Sequence, residues 1–107
     1  MAVEEISVHD LHQLNLDDVV VVDVREEDEY VSGHVPSAIS VPLSIVVDNV
    51  EAFRHEQTTY VICQVGGRSM RAAEFLADAG ITVINIAGGT GAWIASGYEI
   101  VSGGTPR

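Results

Sequence analysis

The sequence predicts an α/β domain built on a largely parallel sheet, and three observations predict it. Strand-like and helix-like segments alternate along the whole chain. Val19-Val20-Val21-Val22 is an unbroken β-branched run, the pattern of a strand covered on both faces. Two polar segments, Asp23 to Arg25 and Cys63 to Arg68, each follow directly after a strand-like run. That is where parallel sheets place their sites.

The elements follow in order. Ser7 with Asp10 three residues on has the form of a capping box and opens a short helix carrying Leu11 and Leu14. The Val19 to Val22 strand leads through Asp23-Val24-Arg25 into an acidic helical segment, Glu26 to Val31. Gly33-His34-Val35-Pro36-Ser37 is a turn, and a short strand resumes over Ala38 to Val41. Leu43, Val46, Val47 and Val50 recur at helical spacing, with Phe53 completing the stripe, although their β-branched content weakens that helix. Thr59 to Ile62 is the next strand. Ser69 to Ala79 reads as a helix with Ala72, Ala73, Leu76 and Ala79 inward and Gly80 placed to end it. Ile81 to Ile86 gives the last core strand, and Gly88-Gly89-Thr90-Gly91 turns into a short helix holding Trp93. Residues 102–107 are polar and rich in Gly and Pro, the composition of a flexible tail.

The 107 residues suffice for one domain, 1–107, with one modest core. A hydrophobic content of 47% argues against disorder. No apolar run is long enough to cross a bilayer. The acidic start, Met1 to Glu5, lacks the pattern of a signal peptide, so the expected setting is the cytoplasm. Sixteen carboxylates face five arginines and no lysine, a formal charge of −11. Nucleic acid is therefore a poor partner, because phosphate contacts need a cationic face, and no membrane partner is expected. The same field repels small anions, so any anion site must be built locally from arginine and backbone N–H groups. A single cysteine rules out an internal disulfide and a multi-cysteine metal cluster. His9 and His12 lie a helical turn apart, and the plainer reading is two surface histidines rather than ligands.

Cys63 is the candidate nucleophile. It sits between a strand and a helix N-terminus, in Cys63-Gln64-Val65-Gly66-Gly67-Arg68-Ser69. A lone cysteine after an apolar strand is, by itself, more often a small buried residue. The context shifts that balance, because two glycines at a strand-to-helix junction cost stability unless the backbone geometry needs them. Such a turn can aim several N–H groups inward, and the helix adds the positive end of its dipole. Arg68 is expected to add a full positive charge. Together these favour the thiolate, the nucleophilic form.

At this point the sequence resembles the rhodanese family. The resemblance rests on Asp23-Val24-Arg25-Glu26, on Glu29-Tyr30 with Gly33-His34-Val35-Pro36-Ser37-Ala38, on the Cys63 to Ser69 loop, and on Gly88-Gly89-Thr90-Gly91-Ala92-Trp93, in that order. It implies a five-stranded, mostly parallel sheet with helices on both faces. It also implies a sulfurtransferase in which Cys63 takes sulfur from a donor such as thiosulfate, holds it as a persulfide, and passes it to cyanide or a thiol. Gln64 to Ser69 would form the substrate-binding loop, with no metal or other cofactor. The partners implied are a small sulfur donor and a thiophilic acceptor, which could be a protein. Four residues separate Cys63 from Arg68. Related phosphatases and arsenate reductases have five, so the shorter loop favours sulfur over phosphorus.

Other residues carry weaker expectations. Val65 stands where many family members have a small polar residue, and it either lines the mouth or points away. Arg71, a turn beyond Arg68, is the obvious candidate for a second cation and equally reads as solvated surface. The missing lysine predicts weak thiosulfate binding. Asp23 and Arg25 are expected to support the loop, Arg25 by pairing with an acid and Asp23 by accepting loop N–H bonds. His34 is expected to fix the turn before Pro36, and Trp93 to fill the core or its rim. Ser37 replaces a Gly frequent in the family and would be strained if that position needs positive φ. Competing readings are a non-catalytic binding or carrier module, a phosphatase, and a redox sensor.

Overall fold

In the computed structural model, which describes residues 3–107, five strands form one sheet in the order β1-β5-β4-β2-β3. The strands are β1 (Glu4–Ser7), β2 (Val20–Asp23), β3 (Ile39–Ser40), β4 (Thr59–Ile62) and β5 (Val83–Ala87). The helices are α1 (Val8–His12), α2 (Glu27–Ser32), α3 (Leu43–Asp48), α4 (Gly67–Asp78) and α5 (Gly89–Ala95). Every strand pairing is parallel. The expectation of a parallel α/β sheet therefore holds, without the antiparallel element that "mostly" allowed. Among the described residues no helix is long and apolar enough to cross a membrane.

The valine run explains the centre of the sheet. Val21 and Val22 point to opposite faces, and each meets a separate core cluster. On one face Val22, Val61 and Val83 pack against Val46 of α3 and Ala72, Ala73 and Leu76 of α4. On the other, Val21, Ile62 and Ile86 pack against Leu11 of α1, Tyr30 of α2 and Trp93 of α5. Helices thus cover both faces, and neither alternation nor amphipathicity is required of β2.

Several local expectations hold. The Ser7 hydroxyl accepts from the Asp10 N–H at 3.0 Å and caps α1. Ala79 and Gly80 end α4 as a Schellman motif: Gly80 N–H reaches the Ala77 carbonyl at 2.9 Å, and Ile81 N–H reaches Leu76 at 3.0 Å. Gly80 supplies the positive φ this requires, 85°. Ser37 does sit at positive φ, 75°, as its replacement of a glycine implied.

Others are corrected. β1 was not expected at all. Its acidic sequence hides a strand that lies at the sheet edge beside β5, with Glu4, Glu5 and Ser7 exposed. The Leu43 to Phe53 stripe is not one helix. It breaks at Asn49, whose φ of −134° is not helical, and resumes as a 3₁₀ turn over Val50–Phe53. Val47, assigned to the inner stripe, faces solvent, whereas Val46 is fully buried. Apart from these corrections, residues 102–107 make contacts with the rest of the domain. The Pro106 carbonyl accepts from Ser37 N–H at 3.0 Å, and Arg107 pairs with Asp17 while donating to Ser37 Oγ at 2.7 Å.

The topology fixes where chemistry can occur. β4 lies at the centre, between β5 and β2. The chain leaves β2 for α2 on one face and leaves β4 for α4 on the opposite face. A site is expected between those two departures, at the carboxyl ends of β2 and β4. The segments lining it are Asp23 to Arg25 and Cys63 to Ser69.

Candidate active site

Cys63 follows β4 directly and is only 1% exposed. Burial alone would mark it as a core residue, and it does belong to the cluster that contains Val61 and Ala72. What separates it from a packing residue is the set of donors aimed at its sulfur. The Gly66 N–H donates to Sγ at 3.1 Å and the Ser69 hydroxyl at 3.3 Å. Burial pushes the thiol pKa up. The Ser69 hydroxyl and the N–H groups of Ser69, Gly66 and Val65 pull it down and prevail, so it lies below its ordinary value. The Ser69 hydroxyl also lies 3.3 Å from the Gly66 carbonyl, and its single proton can serve only one acceptor at a time.

Backbone geometry produces this cradle. Gly66 adopts φ 107°, a value that side chains oppose, and becomes the N-cap of α4. That turn brings the N–H groups of Val65, Gly66 and Ser69 to the sulfur. Gly67 does not share the requirement. It is the first helical residue, without positive φ, and a Cβ there would meet open space. Only one of the two loop glycines is therefore conformationally necessary. Val65 is 75% exposed at the loop tip, so its side chain is not enclosed.

Arg68 and Cys63 interact through charge, but no hydrogen bond joins the guanidinium to the sulfur. The guanidinium forms a fork-to-fork pair with Glu29 of α2, Nη1 to Oε1 at 2.7 Å and Nη2 to Oε2 at 2.9 Å. Spacing along the chain placed Arg68 near the loop but could not show a carboxylate arriving from another helix. The Arg68 hydrogen bonds pull Glu29 down to about 2, against desolvation. Reciprocally, the bonds to Glu29 hold Arg68 above its ordinary value, and the charges of Glu29, Cys63 and Asp23 add to this against desolvation. The pair ties α2 to α4.

Asp23 and Arg25 form a buried ion pair behind the loop, with side-chain exposures of 0% and 4%. Arg25 Nη2 donates to Asp23 Oδ2 at 2.8 Å and to the Gly33 carbonyl at 2.8 Å. Arg25 Nη1 donates to Gln64 Oε1 at 3.1 Å. Asp23 was expected to accept loop N–H bonds. Its oxygens are instead taken by the Arg25 backbone N–H and guanidinium, so its hold on the loop is indirect, through Arg25 and Gln64. His34 is fully buried, with Nδ1 2.8 Å from the Tyr30 carbonyl and its ring stacked on Tyr30. The carbonyl can only accept, so Nδ1 carries the proton. These contacts tie His34 to α2 and the turn.

The residues that sequence reading passed over are those clamping the loop from the β5 side. Thr90 N–H donates to the Cys63 carbonyl at 2.8 Å, and Gly91 N–H to the Gln64 carbonyl at 2.9 Å. Gly89 is pressed against the same peptide. A Cβ there would overlap the Cys63 carbonyl oxygen and come 2.7 Å from the Gln64 carbonyl carbon. The doubled glycine after the last strand is the available signal; the sequence presents it as a turn and as part of the family resemblance, without showing what it presses against. Asn85 of β5 reaches the loop too, 3.4 Å from the Gly66 carbonyl. Among the described residues no group of three or more His, Cys, Asp or Glu side chains could hold a metal ion.

Comparison with known proteins agrees with this geometry. The rhodanese-like domain family matches residues 7–96. A sulfurtransferase of Allochromatium vinosum is 30% identical over 103 residues, covering 94% of this chain and 96% of that protein. The thiosulfate sulfurtransferase GlpE of Pseudoalteromonas translucida is 30% identical over 103 residues, covering 94% and 98%. The crystal structure of a rhodanese-related protein from Thermoplasma volcanium superposes with a TM-score of 0.85 at 33% identity, covering 92% of this chain and 97% of that one. A single-cysteine loop between β4 and α4, on an all-parallel sheet of this order, sits inside the matched span, and the chain belongs to the rhodanese-like domain family.

Proposed function

We propose that this protein is a sulfurtransferase that carries a sulfane sulfur as a persulfide on Cys63. The observation that carries the reading is the cradle of donors around Sγ, from Gly66 at 3.1 Å and Ser69 at 3.3 Å, with Val65 adding its N–H. A core cysteine needs no such donors. A thiolate does, and so does the terminal sulfur of a persulfide anion. The names of the relatives support sulfur transfer as the reaction class.

The reaction runs as a double displacement. The Cys63 thiolate attacks the outer sulfur of a donor such as thiosulfate. A new S–S bond forms, the old one breaks, and sulfite leaves with the bonding pair. Cyanide or a thiol then attacks the outer sulfur of the Cys63 persulfide, and Cys63 departs as the thiolate again. Neither step consumes an external electron, and the cradle stabilises the anionic sulfur at both ends of the cycle. In this reading Gln64 to Ser69 form the substrate-binding loop, and Arg25, oriented by Asp23, holds that loop from behind through Gln64. A reducing compartment such as the cytoplasm suits a lone activated thiol.

The test is intact mass after incubation with thiosulfate or another sulfane donor. The expected result is a gain of one sulfur atom, lost on adding cyanide and absent from Cys63→Ser. Failure of every sulfane donor to load Cys63 sinks the proposal.

A further inference from the structure

We infer that Glu29 sets the donor preference of this site by holding Arg68 away from oxyanionic donors, so that Cys63 is loaded more readily by alkyl persulfides than by thiosulfate. This rests on the persulfide reading of Cys63 and names the class of donor for it.

The argument begins with an inventory of cations. The chain has five arginines and no lysine. Arg54 pairs with Glu51, and Arg107 with Asp17. Arg25 is buried and held by Asp23, the Gly33 carbonyl and Gln64. Arg71 lies exposed on α4. Arg68 is the one cation within the loop sequence itself. Both of its terminal nitrogens are taken by the two oxygens of Glu29.

A fork-to-fork guanidinium–carboxylate pair occupies the same edge that would grip a sulfonate. Thiosulfate entering the site finds that edge already used by a carboxylate. It must break the pair or approach without Arg68, the loop's own cation, and Glu29 repels it in either case. An alkyl persulfide, R–S–SH, makes no such demand. The Cys63 thiolate attacks its outer sulfur, the S–S bond of the donor breaks, and RS⁻ leaves with the bonding pair while Cys63 keeps the –SH sulfur. Charge is conserved, and no oxyanion needs a partner. Glu29 touches neither the sulfur nor the donor in this account, so it is a positioning residue acting through Arg68.

Glu29→Gln tests the idea. Glutamine at this position can still accept the Glu26 N–H, which Glu29 Oε1 now receives at 3.2 Å, so the α2 capping box survives. Loading of Cys63 is measured with three donors whose reacting forms fall in charge: thiosulfate with two negative charges, an aryl thiosulfonate with one, and 2-hydroxyethyl persulfide, attacked as its neutral –SSH form. In the natural protein the persulfide is expected to give the highest kcat/KM. In Glu29→Gln the KM for thiosulfate is expected to fall about tenfold with kcat little changed, the mark of improved ground-state binding. The thiosulfonate should gain less and the persulfide nothing. Glu56→Gln removes one charge from an exposed site before β4, at the opposite end of the strands, and should leave the donor ratios unchanged. Glu29→Ala repeats the measurement without a residual hydrogen bond to Arg68. Sulfate protection of Cys63 from iodoacetamide, appearing only in the Glu29 variants, gives a readout without turnover.

A thiosulfate KM that stays constant or rises in both Glu29 variants overturns the inference, as does an equal change for all three donors. Should none of the donors load even the natural protein, the persulfide reading itself fails. Loading with unchanged ratios removes only the role of Glu29.

Discussion

Cys63 is poised between two opposing effects, and single residues decide the balance. Burial at 1% exposure favours the neutral thiol, while donors from the loop favour the thiolate. Ser69→Ala deletes the hydroxyl at 3.3 Å and returns part of the advantage to burial. The pH profile of alkylation by uncharged iodoacetamide reads this directly. In the natural protein its midpoint is expected below the ordinary thiol value of 9.0, because the folded state lowers the pKa. In Ser69→Ala the midpoint moves upward, and the rate at neutral pH falls about tenfold, the equivalent of about 1.4 kcal/mol. An unchanged profile would show that the N–H groups alone hold the thiolate. The two loop glycines give a paired test of the backbone. Gly66→Ala forces a side chain onto φ 107° and is expected to cost about 2 kcal/mol in urea unfolding. Gly67→Ala puts a methyl into open space at a helical position and is expected to stabilise by about 0.5 kcal/mol, because it restricts the unfolded chain.

At the scale of elements, the site is a loop held from both neighbouring strands. Arg25 after β2 holds the Gln64 side chain, and the turn after β5 holds the Cys63 and Gln64 carbonyls. Gly89 is the tightest point of that clamp. Gly89→Ala is expected to destabilise by about 3 kcal/mol through overpacking against a peptide that cannot yield. It should also slow Cys63 alkylation, since the displaced peptide carries the cradle with it. A stable Gly89→Ala protein with normal alkylation would mean the turn is only a neighbour. This clamp also marks the boundary of what the sequence discloses. The valine run, the Ser7 cap, Gly80 and the position of Cys63 are local signals, each set by residues within a few positions, and each appears where expected. β1 escaped notice because an edge strand facing solvent with Glu4 and Glu5 has no apolar periodicity to detect. The Arg68–Glu29 pair and the Gly89 contact join segments far apart in the chain, and composition or spacing carries no record of such meetings. Asp23 and Arg25 were placed correctly as neighbours of the loop, but which of them touches it depended on side-chain direction, which only packing decides.

For the whole molecule, the governing quantity is a formal charge of −11. Helix dipoles and loop N–H groups act within a few ångströms of Cys63, while the acidic surface acts over the Debye length. A donor therefore crosses a repulsive outer field before it reaches an attractive inner cradle. The outer field is open to salt, since its reach shrinks from about 30 Å at 0.01 M to about 8 Å at 0.15 M. The buried cradle is screened much less. For thiosulfate, kcat/KM is consequently expected to rise several-fold across that range, because screening removes like-charge repulsion during approach. For 2-hydroxyethyl persulfide it should stay flat, and for a cationic alkyl persulfide it should fall. The order of the three slopes separates the global field from the local effect of Glu29. The Glu29→Gln variant still carries almost all of the acidic surface, so it should shift the thiosulfate curve upward while keeping its slope. A flat thiosulfate curve in the natural protein would mean that the −11 charge lies where the approaching donor does not feel it.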